Sequence, residues 1–496
     1  MHGKAAVTLL AIAFLAPVRA RAGEEGGPAA APVATPEQEF ADRLAKSRAA
    51  IASKLENAAS FGMGNRLKRT ALDVYEKVLE YDPESRKARG ELGFERKGDA
   101  WVANEHKTKK LNEVRDESEA KRGDFDRRLG DAKAEAATLL AAVGDFADAN
   151  GMTEKAWELW RKALVLDDQN EVANKKVGNV RLEGKWRTKQ AVAHIEFKKA
   201  YDEALAKARK LDVAVVQGGD STGFGEKAAL RLKVFSTKNF RIESELPDVD
   251  IRETLVWLER ARLFLIDLYQ IPERLLDYSR RPSTSLIVTT QKAYDAVVST
   301  CPTVPEDKRA FYKKFGGCRL DEKVQLNLAV NGETAQRETV HVQTHTMAGD
   351  VFGNHAPWLK EALANSVSTA LKGADLKVCF SGEGSTGGIH VERLSLDQAP
   401  ALLRDLVKSK KDTPLDGLVK LPADGMSALE IAKAWSVLMY LLEKDRPQCR
   451  EYLAAAGQGN GDKSKEARVV GQYFEEFTTW DALDEAWRAW AVDVYR

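Results

Sequence analysis

The sequence predicts an α+β protein that is mainly α, with helical hairpins first and a small sheet joined to a helical lobe after them. Three observations predict it. From about Pro36 to Leu211 apolar residues recur three and four apart, as in Phe40–Leu55 and Asp124–Phe146, which is the period of amphipathic helices. Between Leu230 and Val330 the pattern shortens to the runs Leu230–Phe235, Phe240–Ile242, Ser285–Thr289 and Val324–Val330, which read as strands. The amphipathic helix Ile251–Tyr269 interrupts them. From Thr339 to Arg496 the helical pattern returns. A chain of 496 residues also exceeds one ordinary domain.

The N-terminus reads as an export signal. Lys4 precedes the apolar run Ala5–Val18, too short to span a bilayer, and Ala20-Arg21-Ala22 offers a small-residue cleavage site. Residues 1–22 are therefore expected to be removed and the chain to work in the periplasm or outside the cell. Gly23–Thr35, rich in Gly, Ala and Pro, gives a flexible linker over residues 23–38. A helical region over 39–211, a second linker over 212–227 around the Gly-rich Ala214–Lys227, and a last domain over 228–496 complete the expected organisation.

Charge and cysteines set limits on function. The whole chain carries 76 Lys and Arg against 75 Asp and Glu; without residues 1–22 the balance is 73 against 75. This argues against nucleic-acid partners and against a polybasic membrane surface. No later run is long and apolar enough to span a membrane. Cys301, Cys318, Cys379 and Cys449 are an even set, which permits disulfides in an exported chain. Cys301 with Cys318 is the first pairing to expect, and four free thiols is the alternative. No C-x-x-C occurs, so neither a thioredoxin-like site nor a zinc ribbon is supported.

The helical region contains an internal repeat. Tyr75–Asp82 is echoed by Trp160–Asp167, and Ala88, Gly93, Arg96 and Trp101 match Ala173, Gly178, Arg181 and Trp186 without a gap. Each unit reads as a helix, an Asp-containing turn, a second helix and a Gly turn ending in Trp. The units resemble tetratricopeptide-type hairpins at a longer spacing. Trp101 and Trp186 are read as packing residues, because two units give too short a stack for a peptide groove.

The chemistry concentrates in Thr339-Val-His341-Val-Gln-Thr-His345 and Pro357-Trp358-Leu-Lys-Glu361-Ala-Leu-Ala364. Histidines four apart share one helix face, so two imidazole nitrogens can reach one metal at about 2.0–2.1 Å. Glu361 on the next helix is the candidate third ligand, leaving a fourth position open. His355 reads as a loop residue. Lys408–Lys411 reads as a solvated loop, Gly382–Gly388 as a flexible turn, and Trp480, Trp487 and Trp490 as core.

These two segments resemble the gluzincin metallopeptidases, and within them the peptidase MA-like exported bacterial proteins, which carry H-E-x-x-H and then W-L-x-E-G-x-A. The likeness extends to Phe235–Ser244 as the opening strand pair, Ala434–Leu442 as a helix beyond the site and Thr479–Trp490 as the terminal helix, over about residues 228–496. A metzincin pattern does not fit, since Ala348 and Val351 stand where its Gly and third His belong. The resemblance implies a zincin-like domain and zinc on His341, His345 and Glu361.

Two departures bear on activity. Val342 holds the place of the general-base Glu, and Gln343 beside it is no base. Such a base contributes a factor of about 10²–10⁴ in rate. Ile431, before Lys433-Ala434, stands where related enzymes place an oxyanion-stabilising Tyr. The expectation is a zinc-binding pseudopeptidase without catalytic residues, holding a peptide or protein or serving structure. Two alternatives stand beside it: a weakly active metallopeptidase using a non-standard base such as Glu338, and a metal-free scaffold in which the histidines are relics.

Overall fold

The computed structural model describes residues 34–111, 113–117, 119–314, 316–373, 375–376, 394–422, 425–459 and 469–495. The expectations for residues 1–22, for Cys379 and for Gly382–Gly388 lie outside them. The fold is mainly helical with small sheets, as the sequence predicts. It divides into two compact units between Trp186 and Arg187.

The first unit is one motif used twice. Helices α1 (Pro36–Gly64), α2 (Lys68–Tyr81) and α3 (Arg86–Glu91) lead to a hairpin of β1 (Phe94–Lys97) and β2 (Ala100–Ala103), then to α4 (Glu105–Leu111). The second copy is α5 (Arg122–Ala149), α6 (Thr153–Leu166), α7 (Glu171–Lys176) and a hairpin of β3 (Val180–Leu182) and β4 (Lys185–Arg187). α2 and α6 begin and end 85 positions apart, as do α3 and α7. The signals that set these limits repeat too. Ser85 Oγ accepts from the Ala88 amide and Asn170 Oδ1 from the Ala173 amide, each supplying a helix N-cap. Gly93 and Gly178, at φ 80° and 75°, turn the chain into each hairpin.

Four sequence expectations need correction here. α1 starts at Pro36, capped by Thr35 in a capping box with Gln38, so the flexible stretch does not reach residue 38. Each repeat ends in a β-hairpin rather than a plain turn. Trp101 and Trp186 lie on the second strands, half-buried and outside the helical core; Trp101 Nε1 donates to Glu84 at 3.0 Å. The helical region also ends before residue 211. α8 (Lys189–Arg209) belongs to the second unit, where Phe197, Ala204 and Ala208 enter its core.

That second unit carries a sheet with the strand order β5-β6-β7-β8-β10-β9, made of β5 (Val216–Gln217), β6 (Lys233–Ser236), β7 (Phe240–Ser244), β8 (Ser283–Val288), β9 (Gly317–Asp321) and β10 (Val324–Leu328). β7, β8 and β10 run parallel, and the pairs β5–β6, β6–β7 and β9–β10 are antiparallel. The expected linker over 212–227 is thus part of the domain. It contains β5 and the short α9 (Phe224–Lys227), and buried Glu243 of β7 fixes it by accepting from the Thr222 amide at 2.6 Å and hydroxyl at 2.9 Å. α10 (Asp248–Tyr269), α11 (Gln291–Thr300) and α12 (Glu306–Tyr312) fall between the strands. Cys301 and Cys318 are buried in the apolar cluster under α11 as free thiols, so the expected bridge is not formed; Cys449 is a buried free thiol as well.

The helical lobe follows β10. It comprises α13 (Gly332–Phe352), α14 (Pro357–Lys372), α15 (Ala399–Lys408), α16 (Leu415–Leu418), α17 (Ala428–Lys444), α18 (Arg446–Gly457) and α19 (Trp480–Val494). Trp480, Trp487 and Trp490 are buried, as expected for core. The Lys408–Lys411 run is exposed.

A buried charge quartet ties the lobe together. Lys433 Nζ of α17 lies 2.8 Å from Asp412 and 2.6 Å from Asp484 of α19, and Arg488 reaches the same carboxylates at 3.0 and 2.9 Å. Burial raises the Asp412 pKa, but the bonds and charges of Lys433 and Arg488 outweigh it and hold the carboxyl below its usual range. Removing one partner would leave buried charge uncompensated. Lys433→Met is expected to destabilise the second unit by about 3 kcal/mol or more in denaturant unfolding. In the first unit, a Cβ at Gly144 would lie 2.7 Å from Trp160 Nε1. Gly144→Ala is expected to cost about 1–3 kcal/mol there by the same measurement.

Candidate metal centre

The centre is built on two consecutive helices, and local sequence explains how each is placed. Asn331 caps α13, its Oδ1 accepting from the Thr334 amide at 2.9 Å. Gly332 lets the helix start against α10, since a Cβ there would fall 2.2 Å from Asp250. One face of α13 is then bonded to the sheet. Gln343 accepts from Ser283 at 2.9 Å and donates to Ser285 at 2.8 Å, both on β8, and Gln325 of β10 donates to Thr346 at 3.2 Å. Gln343 is thereby committed to the sheet, and the histidines at 341 and 345 are turned towards α14.

The turn between α13 and α14 is set by backbone contact with the end of α18. Gly353 adopts φ 87°, and a Cβ on it would lie 2.8 Å from the Gly457 carbonyl. A Cβ on Gly457 would meet the Phe352 carbonyl even more closely, so both positions need glycine. The Asn354 amide donates to the Gly457 carbonyl at 3.2 Å, and His355 Nε2 donates to the Leu453 carbonyl at 2.8 Å. α14 then begins with Pro357 in its first turn.

This geometry gathers His341, His345 and Glu361, with one donor atom from each inside a span of 4.8 Å. His341 Nε2 is 3.2 Å from one Glu361 oxygen, and His345 Nε2 is 3.5 Å from the other. The imidazoles are edge-to-face with centroids 4.9 Å apart. His341 and Glu361 are buried, and His345 is the most exposed of the three, its side chain at 11 %.

The donor set fits a divalent metal. Two ligands on one tetrahedral ion with bonds of about 2.0–2.1 Å stand about 3.3 Å apart, and the nitrogen–oxygen separations bracket that value. The charge fits as well. Burial alone pushes the Glu361 pKa up, yet the charge and hydrogen bonds of His345 and His341 hold it far below the usual carboxylate range. A carboxylate so deeply buried needs positive charge beside it, and a cation between the three side chains supplies that charge. The group can therefore hold a metal ion.

The other residues singled out by sequence take different places. Val342 is half-buried on α13. Glu338 is half-buried rather than fully solvated and is not one of the gathered donors. Ile431 is sealed in the core, and Lys433 belongs to the charge quartet. His355 lies in the loop between the helices and outside the donor group, as expected, but it is buried. Sequence reading missed Ser368, whose Oγ is 3.2 Å from His341 Nδ1. Its position seven residues beyond Glu361 on the same helix was the available signal.

The chain matches no family model, no curated protein and no solved structure. No described helix is long and apolar enough to cross a membrane.

His355 gives this region an acid sensitivity that can be measured. Burial lowers its pKa from 6.5 to about 4, although the bond to the Leu453 carbonyl works the other way. Between those values the unfolded chain takes up a proton that the folded chain excludes. The stabilisation is complete above pH 6.5 and is lost as pH falls towards 4, by up to about 3 kcal/mol. His355→Phe is expected to flatten that part of the stability curve, read as denaturant midpoints at pH 7 and pH 4.5.

Proposed function

We propose that the second unit is a gluzincin-like, zinc-binding pseudopeptidase, with His341, His345 and Glu361 as the metal ligands. The observation that carries this reading is the convergence of these donors from two helices, in a group where the residue after the first histidine is Val342. Two imidazoles and one carboxylate are a donor set suited to zinc with an open position. When bound, zinc supplies Lewis acidity and anchors an oxygen ligand.

The chain's own residues leave hydrolysis unsupported. Valine has no lone pair with which to take a proton from water. Gln343 is held by two β8 serines, and Ile431 is buried in the core. The deep burial of the ligands favours a metal that organises the helical lobe or holds one peptide or protein group at His345, its more open side. The signal-like residues 1–22 support an exported protein that acts outside the cytoplasm.

The reading is tested by incubating the zinc-supplied chain with a mixed peptide library and following cleavage by mass spectrometry. No cleavage above a His341→Ala control is expected. Val342→Glu is expected to raise cleavage above wild type. Chelator-sensitive cleavage by the wild-type chain would overturn the pseudopeptidase reading in favour of a metallopeptidase with a non-standard base.

A further inference from the structure

Resting on the metal reading above, we infer that Ser368 is a positioning residue for the metal ligand His341. The imidazole of His341 spans two turns of α14. Its Nε2 faces Glu361 at 3.2 Å, and its Nδ1 faces Ser368 Oγ at 3.2 Å. Glu361 and Ser368 are seven residues apart, two helical turns, and so share one face of α14. His341 and Ser368 are both fully buried, so the ring is held from both nitrogens without help from bulk water.

The chemistry follows from the ring. An imidazole that gives its Nε2 lone pair to a metal carries its proton on Nδ1, and a buried Nδ1–H needs an acceptor. Ser368 Oγ accepts that hydrogen bond. A hydroxyl also donates, so when Nε2 carries the proton and donates to Glu361, Ser368 donates to Nδ1 instead. The same contact therefore survives loading and removal of the metal. Its neighbour Ser366 is equally buried but serves packing: its Oγ donates to the Leu363 carbonyl at 2.7 Å and meets Tyr269 Oη at 2.7 Å.

The test uses the full chain and compares wild type, Ser368→Ala, Ser368→Thr and Ser366→Ala. Zinc affinity is measured by competition with a chromophoric chelator, and cobalt(II) absorption reports the ligand field. Ser368→Ala is expected to weaken zinc binding about 10–100-fold and to alter the cobalt spectrum. Ser368→Thr, which keeps the hydroxyl, and Ser366→Ala, which removes the neighbouring one, are expected to retain both properties. If wild type binds zinc and Ser368→Ala binds it equally well with an unchanged spectrum, the role of Ser368 is overturned and the metal reading stands. An equal loss in Ser366→Ala would also overturn it, as would failure of Ser368→Thr to bind. If wild type binds neither metal, both readings fall together.

Discussion

A carboxylate buried between two imidazoles is the constraint on which the second unit depends. Glu361 lies at 1 % exposure with His341 and His345 set against its two oxygens from the facing helix, and a cation held between them would supply the positive charge that so buried a carboxylate needs. Much of the surrounding fold fixes that approach. The sheet holds one face of α13 through Gln343 and Thr346, and the end of α18 holds the turn into α14 through two carbonyls. Glycines at 332, 353 and 457 allow backbone to come closer than any side chain would permit. Regular secondary structure alone would not produce this closeness. It comes from residues whose bonds or missing side chains are specific to one neighbour.

The same logic separates what the sequence made legible from what it did not. His341 and His345 could be read because helical period alone puts positions four apart on one face. Glu361 could be paired with them because a short turn must fold the next helix back. The contacts that fix the turn were not readable. Gly353 and Gly457 lie about a hundred residues apart in the chain, and neither signals its partner. The repeat in the first unit was legible from identical residues at identical offsets. Its β-hairpins were not, since strands of three or four residues are too short to show alternation. Likewise the Gly-rich run before residue 227 looked like a linker because composition does not reveal that Glu243 binds it down.

On the proposed pseudopeptidase reading, Val342 and Lys433 take on physical meaning in this setting. Residue 342 lies beside a site whose donors are gathered, so a valine there offers no proton acceptor yet leaves the metal-binding donors in place. Lys433, which in sequence only helped to place Ile431 at the position of the related enzymes' Tyr, is taken up by a quartet with Asp412, Asp484 and Arg488 that joins α17 to α19. The duplicated helical motif in the first unit has its own apolar core.

His341, His345 and Glu361 are placed so that they could hold a metal ion. Elemental analysis of the chain purified without chelator, beside His341→Ala, tests most directly whether they do. About one zinc per chain in wild type and almost none in the variant is the predicted result. A wild-type chain that remains free of metal after zinc is supplied, or a variant that keeps as much as wild type, would contradict it.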